Sequence, residues 1–513
     1  MSLTKAHNRM IAASAVNVDD YGAVGDGTTD DTIAIQAAIN TNAAIIRFSP
    51  DKTYSITSQI NLVTEQTIEG NNSTVIVNST TVINSAFYGV DVSTSVYKDI
   101  ILNCNSKTIS GFRIYADSTG CNNVWFNNCK ISGTATDATL FYGGIEVASL
   151  GGAAGTQNSD IKVTNCNFGP TGTHGCLIAY TDGVLFENNR IATATNHGME
   201  AVGCRDIIIS NNTVLSCTLS GLGVGSNCKN FVISGNNVQD CGGDGSITCE
   251  QNSVFGVISN NTISDAKASG VNISYGTAGA SPFDKVQGVV CDNNIIRAKS
   301  GVTTYVGVNV YSSTGAGLGE GISVTNNFID GFNIGITYAY SNHGQIAGNN
   351  IVNLTGSSSS VVKATLVESV DIINNSCSSD TGDHAYQVLS FSGTHSSRCN
   401  INGNHVASAN SAGKAVVYID GPNNFTVCGT TTAGALNYVN TASTAAVVVD
   451  NNTGSLAGSP YAGSGTYYSQ IGSATSTTVG AAGPATALPA TPLGYVTAFV
   501  VGVGNVKIPY YTS

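Results

Sequence analysis

Three carboxylates lie close to a glycine-rich segment in a chain that has few charged residues. Of the 513 residues only 10% are charged, and 32 are Asp or Glu. Glu200 precedes the segment SGLGVGS at 220–226, and Asp244 and Glu250 follow it. Paired carboxylates can serve as general acid and general base on a glycosidic bond, and glycines would let a sugar approach the backbone. This pattern predicts glycoside hydrolysis, with Glu200 as one catalytic residue and Asp244 or Glu250 as the other.

Imidazole and aromatic side chains recur on both sides of these carboxylates. His174 and His197 each precede a glycine, and Tyr180 and Tyr275 stand near the ends of similar segments. Such side chains can hydrogen-bond or stack on a sugar, so we predict that these four residues bind substrate. Two alternatives remain open at this point: the histidines are ordinary hydrogen-bonded surface residues, or the active site is a second acidic cluster. That second cluster consists of Asp371, Asp380, Asp383 and His384. A further acid earlier in the chain, Glu146, would extend the first groove.

Two short sequence motifs, which we call phrases, repeat along the chain. They predict the secondary structure that positions these residues. One has alternating apolar residues, an Asn pair and another apolar residue, as in VLFENNRI at 184–191 and IIISNNTV at 207–214. The other has a glycine followed by alternating apolar residues, as in HGMEAVG at 197–203. Two short strands in each 22–25 residues are typical of a β-solenoid. The Asn pairs suit left-handed turns and can stack their side-chain amides into ladders.

The glycine of the second phrase sets a register between neighbouring coils. The residues before it form a column that contains His174, His197 and Asp244, and the residues two after it form another with Glu200. The residues five after it place Tyr180, Glu250 and Tyr275 together. Because Ser246 breaks the apolar alternation, the coil at 244–250 can slip by one residue. Glu200 lies one coil before the segment 220–226, and Asp244 and Glu250 lie one coil after it. Glu200 and either of the other two acids are therefore two coils apart, roughly 10 Å by strand spacing.

The start of the chain carries a recognisable motif. VNVDDYGAVGDGTTDDTIAIQAAIN at 16–40 predicts a strand, a glycine-rich turn and an amphipathic helix. Thr29 or Asp30 is the expected N-cap, and Ile33, Ile35 and Ile39 are expected to cover the first coil. This segment resembles the opening of the pectate-lyase-like right-handed β-helix superfamily, which includes bacteriophage tailspike depolymerases. The C-terminal run at 487–513, with two β-rich stretches around Gly502–Gly504, also resembles phage spikes.

The resemblance implies an all-β, right-handed parallel β-helix with an N-terminal capping helix and a C-terminal β-rich trimerisation region. We expect a leader at 1–15, a cap with the first coils at 16–98, the glycan-binding helix at 99–429 and the trimerisation region at 430–513. As a tailspike depolymerase, the protein would form a homotrimer, attach to a phage tail or an adaptor protein, and act on a bacterial surface polysaccharide, either capsule or O-antigen.

Composition excludes several other classes. A net charge of −12 without Lys and Arg clusters disfavours nucleic acid and anionic membranes, and no apolar run reaches the length of a membrane span. The 14 Cys show no zinc spacing, and Cys204 and Cys228 stand one period apart. We therefore expect reduced, buried thiols, folding in a reducing cytoplasm, and no metal or cofactor. The resemblance to phage tailspikes implies that this is a host cytoplasm and that the protein has a place in the virion.

Two functions compete with hydrolysis. A polysaccharide lyase would need a basic group beside clustered acids, for which Arg205, Asp206 and Lys229 are the nearest candidates, although they read more simply as a surface turn. Of the motifs typical of polygalacturonases and pectate lyases, the sequence has only THG at 173–175, which is similar to the His motif of polygalacturonases. A non-catalytic spike that binds the glycan through the same groove is the other alternative.

Overall fold

The computed structural model describes most of the chain up to residue 406 and short strands beyond it. The described residues are 15–136, 143–152, 155–243, 245–275, 286–301, 304–312, 319–356, 359–377, 386–389, 399–406, 417–420, 425–428, 431–435, 438–440, 447–450, 453–455, 468–469, 494–500 and 504–510. Asp244 and the trio Asp380, Asp383 and His384 lie outside the described residues, as does the N-terminal leader up to residue 14.

Parallel strands dominate the fold and build a β-solenoid of about 13 turns, as predicted. Each strand pairs with the equivalent strand of the next coil, for example Thr181–Glu187 with Arg205–Ser210. The sequence phrases predicted two strands per coil, but a full coil has three. The reason is that the Asn pair turns the chain within the first phrase, so that this phrase forms two strands rather than one.

The three strands of each coil stack into three sheets, which we call sheets A, B and C. Sheet A contains Ala15–Asn17, Ile45–Arg47, Thr67–Glu69, Ser95–Lys98, Asn122–Asn127, Asn158–Thr164, Thr181–Glu187, Arg205–Ser210, Lys229–Ser234, Val254–Ser259, Gln287–Asp292, Gly319–Glu320, Ser323–Thr325, Ser341–Asn342, Gln345–Ala347, Asp371–Ile373, Cys399–Asn402, Phe425–Cys428, Val447–Asp450 and Tyr468–Ser469. Sheet B contains Asp26–Asp30, Thr53–Ile56, Thr74–Val77, Ile101–Asn103, Lys130–Ser132, Asn167–Phe168, Arg190–Ile191, Thr213–Leu215, Asn237–Gln239, Thr262–Ala266, Ile295–Ala298, Phe328–Asp330, Asn350–Val352, Ser376–Cys377, His405–Val406, Thr431–Ala435 and Thr453–Ser455. Sheet C contains Ile60–Asn61, Ile83–Val90, Thr108–Ala116, Gly143–Ser149, His174–Ala179, Met199–Val202, Leu222–Val224, Ile247–Glu250, Val271–Tyr275, Val306–Ser312, Ile334–Ala339, Ser360–Thr365, Tyr386–Leu389, Val417–Asp420 and Tyr438–Asn440.

A ladder of buried asparagines runs along the corner between sheets A and B. The second residue of each Asn-Asn or Gly-Asn pair is an Asn that donates from Nδ2 to Oδ1 of its equivalent on the next coil, at 2.9–3.1 Å. The first position of the pair is left-handed, as at Asn211 with φ 57° and Asn260 with φ 56°. The predicted ladder is therefore confirmed, and its members are Asn189, Asn212, Asn236, Asn261, Asn294, Asn327, Asn349, Asn375 and Asn404.

The interior is filled by one continuous column of apolar side chains and thiols. All thirteen cysteines whose side chains are described are buried and free of disulfides, and burial raises the pKa of thiols such as Cys176. Cys204 and Cys228 occupy equivalent positions on adjacent coils, at the start of strands that pair. The prediction that these cysteines serve as small hydrophobic core residues is confirmed for the described part of the chain.

The predicted N-terminal helix is present and spans Thr32–Ile39. Ile35 and Ile39 are fully buried, but Ile33 is 82% exposed, so its predicted place over the first coil is wrong. The N-cap residue is Asp31 rather than Thr29 or Asp30. Asp30 nonetheless accepts a hydrogen bond from the Thr32 backbone N–H at 3.0 Å, while the Asp31 carboxylate accepts from the turn at Val24.

The C-terminal segment Gln470–Ser513 forms a compact unit separate from residues 1–469. Its two described strands, Gly494–Val500 and Gly504–Tyr510, pair antiparallel as a hairpin. These strands coincide with the two β-rich stretches read from the sequence. Within the described ranges, no helix is long and apolar enough to cross a membrane.

Candidate functional site

The outer face of sheet C differs from the outer faces of the other two sheets because it is largely buried. Every residue of the strands Gly143–Ser149 and His174–Ala179 is buried. Outward residues of sheet A are exposed instead, for example Ile208 at 46% and Trp125 at 38%. A polar group on the outer face of sheet C is therefore held in a protected environment.

Glycine at the start of sheet C strands such as His174–Ala179 explains why the residues before and two after it share this outer face. A Cβ on Gly175 would lie 3.2 Å from Ile191 and 2.6 Å from the Gly198 carbonyl oxygen, inside the packed coil. Cys176 also points into the core. Two successive inward positions leave His174 and Leu177 on the outside. The glycine register read from the sequence therefore has a steric cause.

The pairing places the predicted residues in columns and resolves the slip at 244–250. His174 and His197 are equivalent on adjacent coils, since Cys176 pairs with Met199. Glu200 pairs with Gly223, and Gly223 pairs with Thr248 rather than Ile247. The coil at 244–250 has slipped by one residue, as Ser246 suggested.

The same slip corrects the predicted place of Glu250. Val224 pairs with Cys249, so Glu250 is level with Gly225 and Val202 and not with Tyr180 and Gly203. Gln251 takes the place expected for Glu250, because Ser226 Oγ donates to Gln251 Oε1 at 3.0 Å. Glu250 pairs with Ser274 on the following coil and is half-buried.

A cluster of two imidazoles and one carboxylate forms where the columns meet. His174 Nε2 lies 3.0 Å from Glu200 Oε2, and the rings of His174 and His197 have centroids 5.1 Å apart. One ligand-type atom from each of the three residues lies within 4.8 Å of the others. His174 is fully buried, His197 is 8% exposed and the Glu200 side chain is 16% exposed. The structure thus brings together three of the residues that the sequence prediction named, although these three are not surface side chains.

The surroundings of Glu200 lower its pKa. Burial alone would raise its pKa, but the hydrogen bond with His174 and the nearby charges of His197 and His174 outweigh burial and hold the pKa below its usual value. Its carboxylate rests over Gly225, where a Cβ would lie 2.9 Å from Oε1. The glycines of the segment 220–226, which we call the glycine trough, therefore make room for the carboxylate and, at Gly223, for the Thr248 hydroxyl.

A second charged group extends the site one coil below His174. Glu146 is 2% exposed, and its carboxylate accepts hydrogen bonds from the hydroxyls of Tyr115 and of Ser110, the latter at 3.1 Å. Arg113 Nε lies 3.4 Å from Glu146 Oε2. Burial raises the pKa of Glu146 despite the charge of Arg113 and these hydrogen bonds. Glu146 was predicted to extend the groove, but Arg113 and Tyr115 were missed; applying the rule of two residues after glycine to Gly111 finds Arg113.

The remaining candidate residues lie outside the cluster of His174, His197 and Glu200. Tyr180 packs against the apolar cluster of Tyr115, Ala148 and Ala179 at the edge of the site. Only the backbone of Tyr275 is described, at the end of a sheet C strand. Arg205 lies on exposed sheet A, 3.7 Å from Asp182, as a surface residue. Asp371, the described member of the second acidic cluster, is also on sheet A, away from His174.

Comparison with known proteins matches part of the chain to one family. Residues 15–247 match the family described as rhamnogalacturonase A/epimerase, pectate lyase-like. Mannuronan C5-epimerase AlgE3 of Azotobacter vinelandii is 28% identical over 233 residues, which cover 40% of this chain and 12% of the epimerase. AlgE2 of the same organism is 27% identical over 233 residues and is covered to 22%. The chain spans less than a quarter of the length of these relatives.

Several solved structures are also similar to this chain. The A-module of mannuronan C-5 epimerase AlgE6 from Azotobacter vinelandii has 14% identity and a TM-score of 0.45, with 81% of this chain and 99% of that module covered. The adhesin PfbA of Streptococcus pneumoniae has 15% identity and a TM-score of 0.43, with 89% and 99% covered. The Dettilon tailspike protein has 16% identity and a TM-score of 0.37, with 79% and 68% covered. Residues 15–247 are therefore similar in sequence to the pectate-lyase-like family, the same family that the N-terminal motif resembles.

Proposed function

We propose that the protein is a spike that binds and depolymerises a bacterial surface polysaccharide by endo-glycosidic hydrolysis. The observation that carries the proposal is the His174–His197–Glu200 cluster on the outer face of sheet C, beside the glycine trough at 220–226. Catalytic groups are commonly held in such protected, polar positions on a rigid scaffold. The family match over residues 15–247 supports a carbohydrate substrate.

Glu200 and Glu250 are the described carboxylates on which we expect hydrolysis to depend. Both belong to sheet C, on strands two coils apart, with Gly223 and Gly225 between them. Two coils correspond to roughly 10 Å between backbones, and Glu250 also lies two residues further along the strand direction than Glu200. The two side chains would have to lean toward each other to reach the separation of about 6.5–9.5 Å that suits an inverting hydrolase. Asp244 stays in the proposal as the alternative second acid, and Tyr180, Tyr275, His174 and His197 as residues that contact the sugar.

The rest of the proposal concerns where the spike acts. The terminal motifs resemble those of phage tailspikes, so we propose a homotrimer that is folded in the host cytoplasm and carried on a phage tail, directly or through an adaptor protein. Its partner would be a capsule or an O-antigen at the cell surface. Neither a nucleic acid nor a membrane is part of the proposal.

The test is a screen of purified capsules and O-antigens for new reducing ends, followed by variants on a cleaved substrate. Glu200→Gln and Glu250→Gln should each lower the rate by roughly 10²–10⁴-fold while the circular dichroism stays unchanged. Glu187→Gln, on the neighbouring sheet A strand, is the matched control and should keep full activity. Full activity in Glu200→Gln, Glu250→Gln and Asp244→Asn would remove the active site from this face.

Elimination is the second candidate reaction. It is favoured by the basic groups that the structure brings beside the carboxylates, since Arg113 contacts Glu146 and His174 contacts Glu200. The similarity to mannuronan C5-epimerases points to chemistry at a uronic acid as well. Elimination predicts an oligosaccharide that is lighter than the hydrolysis product by one water and absorbs in the near ultraviolet. Saturable binding with neither product would instead indicate a non-catalytic glycan-binding spike.

A further inference from the structure

We propose that His174, His197 and Glu200 form a binding site for a divalent transition-metal ion, with Zn²⁺ as the best-matched ion. Two imidazoles and one carboxylate are a ligand set found in catalytic zinc sites. The sequence search for zinc motifs did not find it, because these ligands are 23 and 3 residues apart along the chain. The inference concerns the same site as the proposed function but does not require that any glycan be cleaved.

The geometry suits an ion of this size. In a tetrahedral zinc site, with bonds of about 2.0–2.2 Å, neighbouring ligand atoms are separated by about 3.3 Å. Here His174 Nε2 and Glu200 Oε2 are 3.0 Å apart, and all three ligand atoms lie within 4.8 Å of one another. A shift of about 1 Å or less in each side chain would bring the three atoms onto one ion.

The ligands are also held by rigid elements. His174 begins the strand His174–Ala179, and Glu200 belongs to Met199–Val202, which pairs with it. Gly175 and Gly198 fix the turn that directs both histidines to the outer face, because a Cβ on either glycine would clash with a backbone carbonyl at 2.4–2.6 Å. His174 and Glu200 lie on adjacent paired strands, and His197 stands two residues before the second of them. This arrangement gives a pre-organised site, which favours affinity.

The chemistry of the donors selects the class of ion. Ca²⁺ and Mg²⁺ prefer shells made of oxygen ligands, whereas imidazole suits Zn²⁺ and its neighbours. Three protein ligands leave a fourth position for water, and zinc lowers the pKa of a bound water to near 7. Ser220, on the next coil of the same column as His197, is fully buried and its hydroxyl has no hydrogen-bond partner within the described part of the chain. Because Ser220 lies one coil from His197 in the same column, its hydroxyl can hydrogen-bond to such a water.

Metal binding by the untagged, full-length protein tests the proposal directly. After treatment with a chelator and dialysis, Zn²⁺ is titrated in competition with a chromogenic chelator, and native mass spectrometry counts the ions per chain. We expect one Zn²⁺ per chain and no comparable binding of Ca²⁺. Co²⁺ should give the visible absorption of a tetrahedral site.

Variants assign the ligands. His174→Ala, His197→Ala and the nearly isosteric Glu200→Gln should each weaken Zn²⁺ binding by at least about tenfold, with thermal unfolding used to confirm that each variant is folded. His343→Ala is the matched control, because His343 and Glu320 form an exposed pair at 2.7 Å that has no third ligand among the residues the structure describes. This control should bind Zn²⁺ like the wild type.

Two results would overturn the proposal. One is a folded wild-type protein that binds no stoichiometric Zn²⁺; the other is binding that survives Glu200→Gln and His197→Ala but is lost in His343→Ala. Neither result involves a sugar, so failure of the metal site leaves the hydrolysis assay to stand on its own. Conversely, a protein that binds Zn²⁺ but releases no reducing ends would retain the metal site and lose the proposed hydrolysis.

Discussion

The Glu200 carboxylate can lie where it does because residue 225 is a glycine. Its carboxylate lies over Gly225 on the next coil, where a Cβ would approach Oε1 to 2.9 Å and the Val202 side chain to 3.2 Å. His174 holds the other carboxylate oxygen from the coil below. The glycine trough that drew attention to this region therefore accommodates the acid itself.

Gly225→Ala should impair the reaction more than the fold. Because the added methyl meets the end of a flexible side chain, Glu200 can move away at small cost, and the free energy of unfolding should change by less than about 1 kcal/mol. A displacement of the carboxylate by about 1 Å is enough to lower the rate by 10- to 100-fold. The rate of reducing-end release and urea unfolding measure the two effects.

The double variant shows whether the loss acts through Glu200. Gly225→Ala combined with Glu200→Gln should be no slower than Glu200→Gln alone, since both changes remove the same placed carboxylate. Additive losses would mean that Gly225 serves the reaction by another route, such as direct contact with the sugar.

At the scale of elements, the asparagine ladder holds the corner between sheets A and B. Each internal member has four hydrogen bonds of its own: Asn261, for example, donates to the Ile233 carbonyl and to Asn294 Oδ1, and accepts from the backbone and side chain of Asn236. These amides are 2% exposed or less. Buried polar groups that keep all their partners stabilise and specify a structure, whereas loss of one partner is costly.

Replacement of one internal member should destabilise the solenoid strongly. Asn261→Ala leaves the Asn236 side chain, the Asn236 backbone N–H and the Ile233 carbonyl without their partner, so we expect a loss of roughly 2–4 kcal/mol in the free energy of unfolding. Asn237→Ala, at an exposed strand position beside the ladder, is the control and should change it by less than about 0.5 kcal/mol. Equal effects of the two substitutions in urea unfolding would contradict a structural role for the ladder.

The sequence predicted these elements well and the site only in part. The alternation of apolar residues around the Asn pairs and glycines indicates which side chains face the core. The coils and the alignment of equivalent residues between them could therefore be predicted from the sequence. The third strand was missed because it lies inside the Asn phrase. The exact neighbours of Glu250 depended on a one-residue slip that two equally good alignments allowed. Asp31 could not be distinguished from Asp30 as the helix cap, because both carboxylates bond to nearby N–H groups.

At the scale of the whole molecule, one surface column stands out by being apolar. Leu185, Ile208, Val232, Val257 and Val290 are in register along the outside of sheet A. Three of them are between 37% and 46% exposed. A continuous apolar column on the surface is typical of a protein contact, and further copies of this chain in the proposed homotrimer would cover it.

The trimer is tested by mass in solution. Light scattering after gel filtration should give about three times the chain mass of 52.4 kDa at micromolar concentration. A chain that ends after Ser469, at the boundary of the C-terminal unit, should dissociate toward monomers if that unit holds the trimer together. A full-length protein with the mass of a single chain would contradict both the trimer and the reading of the C-terminal segment.

The asparagine ladder shows that the stacking of the coils does not depend on the number of residues in each coil. Successive ladder asparagines are 23, 24, 25, 33, 33, 22, 26 and 29 residues apart, yet the side-chain bonds between them vary only from 2.9 to 3.1 Å. Extra residues are thus added outside a fixed frame, and a loop can be inserted, exchanged or deleted between two ladder positions without moving its neighbours. A protein built on this frame can change the loops beside the outer face of sheet C while the buried cluster of His174, His197 and Glu200 keeps its position.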